Sequence, residues 1–126
     1  MNNPLFNLSG RVALVTGTSR GLGQYLARAL AVAGADIAMT SRDKTTLSAF
    51  SNEIQELGRK TFSTNLDVRN YDSIQRAVTE VEAEFGHIDI LVNNAGCNIR
   101  KPALDVTWGD WNTVFDTNLR GSFFVA

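Results

Sequence analysis

The chain has 126 residues, 44% of them hydrophobic and 20% charged, with a formal net charge of −1. That is long enough for one domain with a real core and too short for two. Near-neutrality gives no electrostatic reason to expect nucleic acid or an anionic membrane as a partner. No apolar stretch approaches the roughly 18 residues a spanning helix needs, and the opening from Met1 to Asn7 lacks the cationic-then-apolar pattern of a secretory leader. The expected location is therefore cytoplasmic. The single cysteine, Cys97, has no partner for an internal disulfide and no companions at ligand spacing, so no metal site is expected.

In chain order, Arg11 to Thr16 reads as a buried strand that runs into a glycine turn. Leu22, Leu26, Ala29, Leu30 and Ala33 then share a helical face that Gly34 ends. Asp36 to Thr40 is a second strand, followed by a helix marked by Leu47, Phe50, Ile54 and Leu57 and stopped by Gly58. Thr61 to Leu66 reads as a third strand and Tyr71, Ile74, Val78, Val81 and Phe85 as a third helix, closed by Gly86. Ile88 to Val92 is a fourth strand. A loop of about a dozen residues follows, long enough to suspect function. Thr107 with Asp110 has the form of a helix N-terminal cap, and Trp111, Phe115 and Leu119 start the last amphipathic helix. Trp108 and Trp111 read as helix-packing residues. Regular alternation of strand and helix implies an α/β, doubly wound parallel sheet, with order 3-2-1-4 and the first strand central.

Between the first strand and first helix lies Thr16-Gly17-Thr18-Ser19-Arg20-Gly21-Leu22-Gly23. Glycines there let the backbone turn tightly and approach a pyrophosphate, and the helix N-terminus offers unpaired N–H groups and partial positive charge to the anion. A lone glycine triplet reads equally well as a turn chosen only for backbone conformation. Here it follows a strong strand and opens a strong helix, the context that phosphate binding requires.

The spacing Gly17-x-x-x-Gly21-x-Gly23 resembles the T-G-x-x-x-G-x-G of the short-chain dehydrogenase/reductase family. Asn93-Asn94-Ala95-Gly96, Asp67-Val68 and Asn118 resemble further motifs of that family, in the same order and on the matching elements. The resemblance covers nearly all of Leu8 to Ala126. It implies a Rossmann-like domain in which Gly17, Ser19, Arg20, Gly21, Leu22 and Gly23 hold the pyrophosphate. It further implies that Asp67 and Val68 meet the adenine, and that Asn93, Ala95 and Gly96 lie near the adenosine ribose, Asn93 and Gly96 also helping to tie the fourth strand to its neighbours. Asn118 would hold a water in a proton relay. By that resemblance the parent protein is a homo-oligomer of about twice this length, acting on a small carbonyl or alcohol substrate.

The end of the second strand bears on the cofactor. The slot where an acid would hold the ribose 2′-hydroxyl of NAD carries Ser41, followed by Arg42. A guanidinium binds a 2′-phosphate bidentately, and Arg20 can approach from the turn, so NADP(H) is favoured over NAD(H). The competing reading leaves Arg42 solvated and gives the ribose to Asp43.

The catalytic tyrosine and the lysine four residues after it, which the resemblance implies, have no match here: Tyr25 and Tyr71 are followed at that distance by Ala29 and Gln75. Arg100 and Lys101, in the loop before Pro102, suit a substrate carboxylate and resemble gluconate 5-dehydrogenase-like members of the family. A solvated pair of charges is the plainer reading, and a 3-oxoacyl substrate is the second class suggested by Thr18 to Gly21. The other function class is a stand-alone, non-catalytic nucleotide-binding module. Because the sequence ends within an apolar helical run from Ser122 to Ala126, it reads as a piece cut within the helix after the fourth strand, expected on its own to be inactive and poorly folded.

Overall fold

A computed structural model describes residues 4–126; Met1, Asn2 and Asn3, the start of the stretch read for a leader, lie outside the described residues. The strands are β1 (Val12–Val15), β2 (Asp36–Ser41), β3 (Thr61–Asn65) and β4 (Ile90–Val92). They form a parallel sheet in the order β3-β2-β1-β4, with β1 central as the alternation requires. The helices are α1 (Leu22–Val32), α2 (Ser48–Glu56), α3 (Tyr71–Phe85), α4 (Trp108–Phe115) and α5 (Ser122–Val125). Among the described residues no helix is long and apolar enough to cross a membrane.

Strand alternation sorts the core into two layers. Ala13, Val15, Ile37 and Met39 face α1 and α2 and pack with Ala27, Ala31, Leu47, Phe50 and Ile54. Leu14 and Ala38 face the other way, onto Val81 of α3. A third cluster joins Leu66, Val68, Ile74 and Ala77 to Val125 of α5.

Two expectations from periodicity change. The buried stripe of α1 is Gly23, Ala27 and Ala31, while Leu22 is 65% exposed. Small side chains let the helix lie close against the sheet, which outweighs the larger apolar area that Leu22 offers. Trp108 and Trp111 do not bury themselves: they are 86% and 57% exposed, and Trp111 stacks on Phe115 with centroids 4.5 Å apart. The polar cap ahead of them is as expected, a reciprocal capping box between Thr107 and Asp110.

Between α4 and α5 the helix widens into a π-helical segment over Asp116–Gly121. Such segments concentrate where a helix must meet a local demand. Here Gly121 lies on the loop after β3, where an added Cβ would meet Val68 O at 2.6 Å and Val68 Cβ at 2.8 Å. Asn118 is bonded at the same time to the loop after β4.

Gly121 has ordinary helical angles (φ −58°, ψ −48°), so propensity alone would favour alanine by about 0.5–1 kcal/mol. Forcing a methyl into the Val68 contact costs about 1–3 kcal/mol and outweighs that gain. Gly121→Ala is therefore expected to lower the urea midpoint. An unchanged or raised midpoint would show that the segment moves off Val68 freely.

Candidate functional site

The four strands end at one edge of the sheet, and the loops that follow them enclose a cleft of about 820 Å³. Ligands of open α/β sheets bind at the carboxyl ends of strands beside such a reversal of strand order, here between β1 and β4. The turn after β1 forms its inner wall. Gly17 (φ +70°) and Gly21 (φ +63°) adopt left-handed angles that favour glycine. A Cβ on Gly23 would stand 2.2 Å from Gly17 O, which no side chain survives. Gly21 precedes α1 without any side-chain cap, so the first-turn N–H groups of the helix face the cleft end with their partial positive charge.

The turn is held from both sides. Thr18 donates its N–H (2.9 Å) and hydroxyl (3.0 Å) to Thr40 O at the end of β2. On the β4 side, the Thr16 hydroxyl accepts the N–H groups of Asn94 (3.0 Å) and Ala95 (2.9 Å). The Asn94 amide donates to Thr16 O and Gly17 O, each at 3.1 Å. Asn94, rather than Asn93, is thus the side chain that ties β4 to the glycine turn. Asn93 turns away and donates to Ser122 O at 3.1 Å.

Of the residues expected to hold a dinucleotide, Gly17, Ser19, Arg20, Gly21, Leu22, Ser41, Arg42, Asp67, Val68, Ala95 and Gly96 all line the cleft. Gly23 stands behind the turn, and Asn93 and Asn118 lie outside the lining. Both ends of the Asn118 amide engage Cys97: Oδ1 accepts its N–H and Nδ2 donates to its carbonyl, each at 2.8 Å. Asn118 thereby clasps the loop after β4, next to Gly96, where a Cβ would come within 3.1 Å of Asn118 Oδ1.

The cleft lining carries five charged side chains in different states: Arg20, Arg42, Asp43, Asp67 and Arg69. Arg20 and Arg42 are exposed, and among the described residues neither makes an ion pair within 4 Å. Asp43 is engaged: its Oδ1 accepts the Thr45 hydroxyl (2.7 Å) and N–H (3.0 Å), capping the turn over Lys44–Leu47. Those two hydrogen bonds, the hydroxyl's first, hold its carboxyl below the usual range. Asp67 is gripped by Arg69, with Nε to Oδ1 at 3.1 Å and Nη2 to Oδ2 at 3.0 Å. The Arg69 hydrogen bonds, and then the charges of Arg69 and Arg42, lower its pKa despite partial burial.

Arg69 and Asn94 also line the cleft; the sequence points to Asn94 only as part of the Asn93-Asn94-Ala95-Gly96 motif, whose asparagine pair also reads as a cap of loop carbonyls, and not to Arg69. Strand alternation carries the signal for Asn94: Ile90 and Val92 pack on the α1 side, so two residues further on points the same way. For Arg69 the signal is its i+2 spacing from Asp67. In the loop beyond, Lys101 Nζ is bonded to Asp110 Oδ2 at 2.6 Å, whereas Arg100 is exposed.

Residues 11–126 match the family model described as short chain dehydrogenase. The chain is 42% identical over 121 residues to 2-dehydro-3-deoxy-D-gluconate 5-dehydrogenase of Escherichia coli (strain K12), covering 96% of this chain and 47% of that protein. It is 39% identical over 127 residues to gluconate 5-dehydrogenase of Gluconobacter oxydans (strain 621H), covering 100% of this chain and 50% of that protein. A metagenomic short-chain oxidoreductase solved in complex with NADP superposes with a TM-score of 0.87 at 37% identity, covering 94% of this chain and 54% of that one. The chain spans about half the length of the curated relatives it matches.

Thr16→Val keeps the shape of the buried side chain and removes its oxygen. Asn94 N–H retains Val92 O at 3.0 Å, but Ala95 N–H loses its acceptor, the Thr16 hydroxyl. Ala95 is half-buried at the cleft, so leaving its N–H unpaired costs about 1 kcal/mol, the low end for a buried donor. The variant should be less stable by that amount in urea and should exchange the Ala95 amide faster. A stable variant with slow exchange at Ala95 would remove the hydroxyl from this role.

Proposed function

Because the chain belongs to the short-chain dehydrogenase family, we propose that it forms the dinucleotide-binding part of an NADP(H)-dependent oxidoreductase that interconverts a hydroxyl and a carbonyl. The observation that carries this reading is the cleft itself: an uncapped α1 N-terminus behind a turn in which Gly23 admits no side chain. That cradle fits a pyrophosphate. When bound, the nicotinamide supplies or accepts the hydride.

In this reading the Gly17 to Gly23 turn, with Ser19, Arg20 and Leu22, holds the pyrophosphate. Asp67 and Val68 meet the adenine, and Ala95 and Gly96 border the ribose. Asn93 supports that border indirectly, through its bond to Ser122 O. Asn118 serves the proton relay, its amide fixing the loop after β4 through Cys97. Hydroxyl–carbonyl chemistry needs a positioned acid or base, and this sequence has no tyrosine with a lysine four residues on.

NADP(H) is preferred to NAD(H) on the state of the rim. Arg42 is not taken up by an ion pair, while Asp43, the alternative ribose ligand, is engaged with Thr45. The NADP held by the metagenomic oxidoreductase supports the same choice. A sugar acid is the substrate we favour, on the names of the Escherichia coli and Gluconobacter relatives. Lys101 is bonded to Asp110, so the carboxylate falls to Arg100. We place the protein in the cytoplasm as a homo-oligomer.

In a protein of the relatives' full length, Arg42→Ala should weaken NADPH binding by about 1.5–3 kcal/mol, the range for a hydrogen bond to a charged group, and leave NADH nearly unchanged. Fluorescence titration with both cofactors reads this directly; equal losses would rule out the 2′-phosphate contact. In a protein of the relatives' length containing this chain, Arg100→Gln should raise KM for aldonates and spare neutral ketones. If Lys101→Gln alone produced that pattern, the assignment between the two cations would be reversed.

A further inference from the structure

The clasp between Arg69 and Asp67 lines the cleft where the proposed function puts the adenine. Asp67 Oδ1 receives two hydrogen bonds, from Arg69 N (3.0 Å) and Arg69 Nε (3.1 Å). Asp67 Oδ2 receives one, from Arg69 Nη2 at 3.0 Å. An ionised carboxylate offers about four acceptor sites and no donor. Arg69 therefore fills all but one of them, and the one left is on Oδ2.

Both partners stand on fixed backbone. Asp67 N–H donates to Ser73 Oγ at 2.9 Å. Arg69 O accepts from Arg120 Nη2 at 3.4 Å, and Arg120 is paired with Asp116 at 3.4 Å, within the π-helical segment. Val68, between them, is pressed against Gly121. A planar guanidinium fork on a fixed base holds a carboxylate in one orientation, which a lysine ammonium does not do.

We propose that Arg69 is a positioning residue that sets the base preference of the cleft, leaving Asp67 one oriented acceptor that takes a purine bearing an amino group at position 6 and repels one bearing an oxygen there. The proposal rests on the reading of the cleft as a dinucleotide site. It goes beyond that reading by assigning base selection to a pair rather than to Asp67 alone. Without the fork, Asp67 keeps only the Arg69 N–H on Oδ1, and the Oδ2 of this half-buried carboxylate accepts from water as easily as from the base.

The test is the ratio of dissociation constants for NADPH and for its analogue in which hypoxanthine replaces adenine, by cofactor fluorescence with the full chain. The parent should prefer NADPH by about tenfold or more, the scale of one hydrogen bond to a charged acceptor. Arg69→Ala and Arg69→Lys should both bring the ratio to within about threefold of unity, since neither can fork. A ratio that survives in Arg69→Ala and collapses only in Asp67→Asn would overturn the proposal, because Asp67 would then read the base unaided. A parent that binds both analogues equally would overturn it too, while leaving the dinucleotide reading intact. A parent that binds neither would bring down that reading and the proposal together.

Discussion

The Thr16 hydroxyl is buried between the ends of β1 and β4, accepting the N–H groups of Asn94 and Ala95 and facing Val92 O at 3.4 Å. Parallel neighbours in a sheet leave their last backbone groups without ladder partners, and in a cleft those groups must not be left to compete with a ligand. Thr16 satisfies them with one side chain and so fixes the distance between the glycine turn and the loop after β4. The Asn94 amide then locks the turn from the same side. Thr18 and Thr40 repeat the device on the β2 side, with hydroxyls bonded to backbone carbonyls. The shape of the cleft thus depends on buried threonines, which fill space like valine while supplying the missing hydrogen-bond partners.

That dependence explains which features were legible in the sequence. The strands, their order and the ends of α1 to α3 follow from apolar period and glycine placement, because both express backbone geometry directly. The α1 stripe was misread because periodicity weighs side chains by hydrophobicity, whereas this helix packs through Gly23, Ala27 and Ala31. The same periodicity makes the α4 tryptophans packing residues, but their face is exposed. Most of the expected cofactor residues do come together along one cleft. The exchange of Asn93 for Asn94 is a matter of which face a residue takes after a strand, and a motif string does not carry that. Arg69 was missed for another reason: an ion pair in a loop leaves no periodic trace.

The charges at the rim divide by function. Asp43 and Asp67 at the cleft, like Asp110 outside it, are each held by a local donor that keeps the carboxyl below the usual range. Exposed contacts of this kind contribute little stability; their effect is to occupy carboxylate oxygens at the cleft. Arg20 and Arg42 keep their donors open by comparison. The result is a rim whose acids are occupied while two of its cations, Arg20 and Arg42, are available, the polarity an anionic ligand needs, in a chain whose net charge is only −1.

The π-helical segment over Asp116–Gly121 also acts on the helix that continues past it. A bond from residue i to i+5 takes one more residue into the turn than an α-helix does, and each α-helical residue advances the face by about 100°. The extra residue therefore works as a phase shift. Upstream, the apolar side chains of α4 look outward; downstream, Val125 is directed into the cluster with Leu66, Val68 and Ile74. A helix of uniform pitch could not serve both directions with this sequence. Insertions and deletions within 116–121 should accordingly be far less tolerated than substitutions, since a one-residue slip would swing Val125 away from the loop that carries Asp67.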